Sequence, residues 1–253
     1  MKPLTIAKLQ WLMTWRNPEQ LMPLLLVPLS TFVAAAIIDN GGRPDLLYYC
    51  LIAISVMSIA QTGFMAASDL FVSDRSSGTL EAMLVTVANY PAVLVVRILS
   101  VTATGAVGGI FSYALLKLVF SARLSIHHPI VAIVTLVGIV VGTSCMALFL
   151  SALICYARSA RAVQNSMSGP MFLMSGVLVP VGLLAPWLEW PGKLIYLSWA
   201  AELLRESFLE AELTNLSFRL IMLLATGIVW ALVGGALLSK MLDRLRLDGK
   251  LTG

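Results

Sequence analysis

Residues 130–156 read IVAIVTLVGIVVGTSCMALFLSALICY, an apolar run from Ile130 to Tyr156 with no Asp, Glu, Lys or Arg. About 20 apolar residues cross a bilayer core as a helix, and a charged side chain at the centre of such a helix is costly. A stretch of this length and purity is written for hydrocarbon. Comparable runs lie on either side of it, at Met22 to Ile38, Leu46 to Val72, Ala92 to Phe120, Val163 to Leu184 and Phe218 to Ser239. Six spans take up roughly 120 to 140 residues, which leaves short loops and interfacial helices. The expectation is an all-α integral membrane protein of six transmembrane helices, a single domain over residues 1–253, with no room for a separate soluble catalytic domain. The composition agrees, at 59% hydrophobic, 12% charged and a mean hydropathy of +0.91. Those values exclude an ordinary water-soluble core and equally exclude disorder.

The three cysteines, Cys50, Cys145 and Cys155, sit inside apolar runs without CxxC or His-Cys spacing, and are read as packing residues. The net charge of +4 is scattered between the spans, without the basic stripe and interleaved aromatics that nucleic acid requires. The first apolar run is not read as a cleaved leader, because Pro23 and Pro28 interrupt it and a long segment precedes it.

Charge placement sets a topology. The N-terminus, the segments after spans two and four, and the tail hold Lys2, Lys8, Arg16, Arg75, Arg97, Arg158, Arg161, Lys240, Arg244, Arg246 and Lys250. The other side holds Arg43, Lys117, Arg123, Lys193, Arg205 and Arg219. By the positive-inside rule both termini are expected in the cytoplasm of a multi-pass plasma-membrane protein. Glu189, Glu202, Glu206, Glu210 and Glu212 then all fall in one outer loop.

Three segments are neither spans nor simple turns. Lys2 to Arg16 repeats Leu4, Ala7, Trp11 and Trp15 at helical steps and reads as an interfacial helix, ended by Asn17-Pro18. Ser73 to Pro91 reads as a turn followed by a short helix over Thr79, Leu80, Glu81, Met83, Leu84 and Val87. Ser76, Ser77 or Thr79 is available to cap it. Its apolar face of Leu80, Met83, Leu84 and Val87 faces either the bilayer surface or a groove in a partner protein. Ala185 to Asn215 opens on Pro186, Trp187, Trp190 and Pro191. It continues as a helix over Leu194 to Leu213, with Glu202, Glu206 and Glu210 on one side and Arg205 close enough to pair with Glu202 or a neighbouring acid.

The second and third segments resemble the permeases of type-2 ABC transporters, which include drug, antibiotic and polysaccharide exporters. Asp74-Arg75-Ser76-Ser77-Gly78-Thr79-Leu80-Glu81 after span two is similar to the family's charged pair followed by Gly-Thr-Leu-Glu. The chain departs from the family pattern in carrying Val87-Ala88-Asn89-Tyr90 before Pro91. Ser175-Gly176-Val177-Leu178-Val179-Pro180, then Leu183, Leu184, Pro186, Trp187 and Leu188, then Glu202, Leu203 and Arg205, resemble the family's span five and its re-entrant outer helices. The likeness runs over nearly the whole chain in order and spacing.

The resemblance implies that Asp74, Arg75, Gly78, Thr79, Leu80, Glu81, Met83, Leu84 and Val87 couple the chain to a cytoplasmic ABC ATPase dimer. The chain carries no G-x-x-x-x-G-K-[ST] loop, so ATP and Mg would be bound by that partner, and this chain is expected not to be an enzyme and to hold no cofactor of its own. Two permease copies, identical or related, would enclose the pathway within the bilayer. Gly105 to Gly109 and Gly138 to Gly142 allow close helix approach, either between subunits or within one. The wall of Met167, Met171, Phe172 and Met174, with Ser175, Gly176, Pro180 and Trp187 at the outer gate, suggests a lipophilic drug or antibiotic as cargo, with a peptide or glycolipid as the alternative. An ion-coupled carrier would place ionisable groups at mid-membrane. The acids here lie near span ends, such as Asp39 and Asp69, and Asp69 fits pairing with Arg75 or Arg97. His127-His128 has no metal-ligand spacing around it and reads as loop.

Overall fold

Residues 3–16, 18–80, 83, 90–120, 124–155, 157, 159–178, 186–209 and 215–247 are described by the computed structural model, and among them every regular element is a helix. In chain order these are α1 (Pro3–Arg16), α2 (Pro18–Asn40), α3 (Leu47–Ser76), α4 (Tyr90–Val119), α5 (Pro129–Ile154), α6 (Ala160–Met174), α7 (Pro186–Lys193), α8 (Tyr196–Glu206) and α9 (Leu216–Leu247). A single 3-10 turn, Pro44–Leu46, leads into α3.

Among the described residues four stretches of helix are long and apolar enough to cross a membrane: Pro44–Ser76, Tyr90–Val119, Pro129–Ile154 and Leu216–Arg244. At about 1.5 Å per residue each exceeds the roughly 30 Å of a hydrocarbon core. They coincide with four of the six expected spans. The first expected span falls within α2, whose apolar part, Leu24–Asn40, is shorter. The expected span Val163 to Leu184 is not one helix. α6 stops at Met174, where Ser175 caps it by donating its N–H to Met171 O at 2.9 Å, and Gly176 turns the chain off at φ +70°. A residue without Cβ takes that left-handed conformation without strain, which is why helices so often end there. The expected helix over Leu194 to Leu213 also closes early, with Ser207 as its C-cap.

α3 is the centre of the bundle, with α2, α4, α5, α6 and α8 around it, while α9 lies along α5 and α1 crosses the start of α4. Ile52, Val56 and Ile59 of α3 meet Leu94 and Ile98 of α4, Ile139 of α5, and Leu197 and Leu203 of α8 in one buried cluster. Outside it the polarity is inverted relative to a soluble protein. Leu25, Leu29 and Ile37 of α2, Ile130, Ile133 and Val137 of α5, and Ile221, Ile228 and Leu232 of α9 are exposed bands that fit lipid.

Close approach is built on small residues. A Cβ on Gly105 would touch Ile59 Cα at 3.0 Å, one on Gly138 would meet Leu223 Cδ2 at 2.7 Å, and one on Gly142 would meet Tyr196 Cδ2 at 2.6 Å. Gly109 meets Ser55 in the same way. All four glycines of the two spacings therefore serve packing inside the subunit. Many buried hydroxyls are spent on their own helices, Thr102 Oγ1 on Ile98 O and Ser151 Oγ on Ala147 O, or across helices, Thr31 Oγ1 on Ser112 Oγ at 3.0 Å, while Ser58 Oγ and Thr135 Oγ1 find no partner among the described residues. Where no water is at hand each such donor needs a partner. The cysteines are free, with Cys155 buried and Cys50 and Cys145 half-buried.

Candidate functional site

The turn after α3 is where the sequence places its densest cluster of functional residues, and here the side chains sort themselves differently from expectation. Ser77 Oγ donates to Ser73 O at 2.6 Å and Thr79 Oγ1 to Asp74 O at 3.3 Å. The two hydroxyls touch at 2.9 Å. They close the last carbonyls of α3, which a helix end leaves without partners. Gly78, at φ +69°, makes the reversal. Ser76, Ser77, Gly78 and Thr79 are exposed and Arg75 half-exposed, so a polar rim forms the tip.

Leu80 points the other way. It is 2% exposed and belongs to the subunit's own core, with Met83 against its edge. The apolar face expected to meet a groove or the bilayer is, at these two residues, turned inward. Glu81, Leu84 and Val87 lie outside the described residues.

Asp74 is not part of the exposed rim either. Its side chain is buried and accepts from Arg97 Nη1 at 2.6 Å and from Tyr90 Oη at 3.0 Å, both on Oδ2. Arg97 also donates through Nε to Gln10 Oε1 of α1 at 3.0 Å. A buried charge is tolerated only when paired and hydrogen-bonded, and this one gathers α1, α3 and the first turns of α4 into a single joint. Arg97, offered with Arg75 as a partner for Asp69, is thus bound to Asp74. α1 obeys the same logic. Gln10 and Thr14 face the subunit, while Leu9, Trp11, Leu12 and Met13 are exposed on the other side.

Away from this turn, Tyr196 of α8 is fully buried in the notch over Gly142, midway along α5, and shares a 2.6 Å hydrogen bond with Thr143. Arg205 does not pair with Glu202. Its Nη2 donates to Gly176 O at 2.5 Å and Val177 O at 2.7 Å, and its guanidinium lies 5.8 Å from the centre of the Tyr49 ring. Glu206 takes the ion pair instead, with Arg219 at the start of α9. Glu202 remains half-buried. Burial pushes its carboxyl above the ordinary range, against the pull of Arg219 and with a smaller push from Glu206. His127 Nε2 meets Ser125 Oγ at 2.8 Å, and the His128 N–H reaches Ser207 O at 3.0 Å, tying this loop to the end of α8.

Of the expected pathway wall, Met171 and Phe172 are buried, Phe172 stacking on Phe64, while Met167 and Met174 are partly covered and Leu173 is the open residue. Ser175 and Gly176 are buried at the end of α6, Trp187 is 74% exposed on α7, and Pro180 lies outside the described residues. Gln10 and Tyr90 were not singled out by sequence reasoning. The signal that points to them is Arg97, a cation inside the apolar first half of α4, which must find partners on whatever packs beside it.

A bundle of long apolar helices, wrapped in lipid-facing bands and closed at one end by short amphipathic helices, defines a polytopic membrane protein. Residues 4–209 match the family described as ABC-2 type transporter, and the chain belongs to that family: it is the transmembrane subunit of an ABC transporter. No curated protein matches the chain.

Proposed function

We propose that two copies of this chain, or this chain and a related one, form the pathway of an ATP-driven exporter whose ATPase is a separate cytoplasmic protein, with the α3–α4 turn facing that ATPase and α8 facing outward. The observation that carries this reading is the joint at Asp74. A polar rim of Ser76 to Thr79 stands on a buried ion pair that binds α1, α3 and α4, so a push on the rim is delivered to three helices at once and is not absorbed by a flexible loop. Family membership supports the ATPase, and a sequence without a phosphate-cradling loop fits a reading in which that partner binds ATP and Mg. Both termini are then cytoplasmic and α1 lies on the inner leaflet. For cargo, the open apolar residues near the α6 end, Leu173 and Leu178, favour a lipophilic or amphipathic compound of the drug or antibiotic class.

The test is affinity purification of the tagged chain from its native membranes in mild detergent, with identification of what accompanies it. A Walker A ATPase is expected, lost in Glu81→Lys, and the purified pair should accelerate hydrolysis when cargo is added. Absence of any ATPase while the chain stays monodisperse would overturn the reading.

A further inference from the structure

The break after α6 is held by a residue from another helix, and the way it is held points to a role. Beyond Met174 the chain leaves the helix through Gly176, and the carbonyls of Gly176 and Val177 turn to Arg205. Both are buried, Val177 completely. Arg205, itself 8% exposed, supplies one terminal nitrogen to the pair of them. Nothing local imposes that contact, since the residues are 28 and 29 positions apart. What aims Arg205 is the seat of α8: Tyr196 keyed over Gly142 and bonded to Thr143 fixes one end, and the Glu206–Arg219 pair fixes the other. From the other side the backbone of Gly192 at the end of α7 lies against Met174 O so closely that no Cβ fits between them. The broken end of α6 is thus gripped between α7 and α8.

The grip is incomplete. Among the described residues Arg205 Nε is buried with no hydrogen-bond partner, and the guanidinium balances its charge on two carbonyl dipoles and the Tyr49 ring, with no carboxylate in contact. A buried donor left unmade favours any arrangement that satisfies it, so the contact is firm enough to set a position and poor enough to be given up. We propose that Arg205 is the positioning residue of the outer gate, holding the Gly176–Val177 break closed in the resting subunit and letting go of it in each transport cycle. This rests on the outward assignment of α8 made above, and the experiment separates the two.

In a chain with Cys50, Cys145 and Cys155 replaced by Ala, a cysteine is placed at Val177, under the clamp, and a second variant carries it at exposed Ser125 on the same end. Both are treated on intact cells with a membrane-impermeant maleimide. Ser125→Cys labelling from outside establishes the side; labelling only in inverted vesicles would refute the orientation and leave the clamp to be tested from there. Val177→Cys is expected to be nearly inert and to become at least tenfold more reactive in Arg205→Gln. Arg205→Lys, which keeps a cation for the same carbonyls, should lie between, and Glu202→Gln on the same helix should change nothing. In transport the Gln variant should lower maximal rate while leaving half-saturation within about twofold, because the cargo contact is untouched. Equal labelling in Arg205→Gln and its parent would overturn the proposal. If the Gln chain is not monodisperse, the Lys variant decides, and parental labelling there overturns the proposal too.

Discussion

Replacing Asp74 with Asn is the sharpest perturbation of the joint, because the side chain keeps its shape and loses only its charge. The Asp74 and Arg97 side chains are 6% and 14% exposed with Oδ2 and Nη1 2.6 Å apart. Charges about 4 Å apart attract by about 4 kcal/mol at an effective dielectric of about 20. Removing one member of a buried pair costs about 3–5 kcal/mol, since the survivor stays desolvated and unpaired. Gln10 still accepts from Arg97 Nε, which keeps the expected loss near the lower figure, about 3 kcal/mol, or roughly a 150-fold fall in the folding constant. Arg97→Gln should cost a similar amount, and the double variant should recover about 2 kcal/mol of the sum, the signature of two residues acting on each other. The assay is denaturant unfolding in detergent micelles followed by tryptophan fluorescence. Asp45→Asn serves as the internal control: its pair with Arg43 is 3.6 Å long and some 65% exposed, and such pairs contribute under about 0.5 kcal/mol to stability. Single variants at Asp74 and Arg97 that cost no more than the control, or a double variant equal to their sum, would mean that the charges are solvated and that no rigid joint exists.

Other expectations follow from the same geometry. Gly142→Ala drives a Cβ to within 2.6 Å of the Tyr196 ring and should destabilise by about 2 kcal/mol through overpacking, whereas Gly169→Ala, with nothing within 4 Å, should be neutral or slightly stabilising; paired unfolding curves check both. Leu80→Ala should cost about 3 kcal/mol as a core truncation, while Thr79→Ala costs about 1 kcal/mol or less, a contrast that reverses if Leu80 faces outward. Because the raised Glu202 carboxyl favours its protonated form in the folded state, the stability it contributes is complete below the ordinary Glu value of about 4.3 and is lost as pH rises through the raised one. Glu202→Gln should therefore unfold later than its parent at pH 8 and together with it near pH 4.

Much of the fold was legible because hydrocarbon is an unforgiving solvent. Ile130 to Tyr156 has one reading wherever a bilayer exists, and α3, α4, α5 and α9 lie where their apolar runs predict. The N-terminal helix was legible too, though its facing was not: periodicity in α1 marks an apolar stripe, but Gln10 turns inward because Arg97 is waiting there. The Val163 to Leu184 run misled because apolarity sets what a segment tolerates and says little about where it bends. Gly176 bends it, and Arg205 holds the bend from 29 residues away.

By itself, then, the sequence determined the solvent of this protein and the position of its long spans, since those depend on local composition and spacing. Only the tertiary structure decided that Asp74 faces Arg97, that Leu80 faces the core, that the glycine spacings serve α3, α8 and α9 of the same subunit, and that Arg205 serves carbonyls and not a carboxylate. Each of those is a choice among chemically acceptable partners, and the choice is made by which helices come within reach, a matter that packing settles and that no single segment carries.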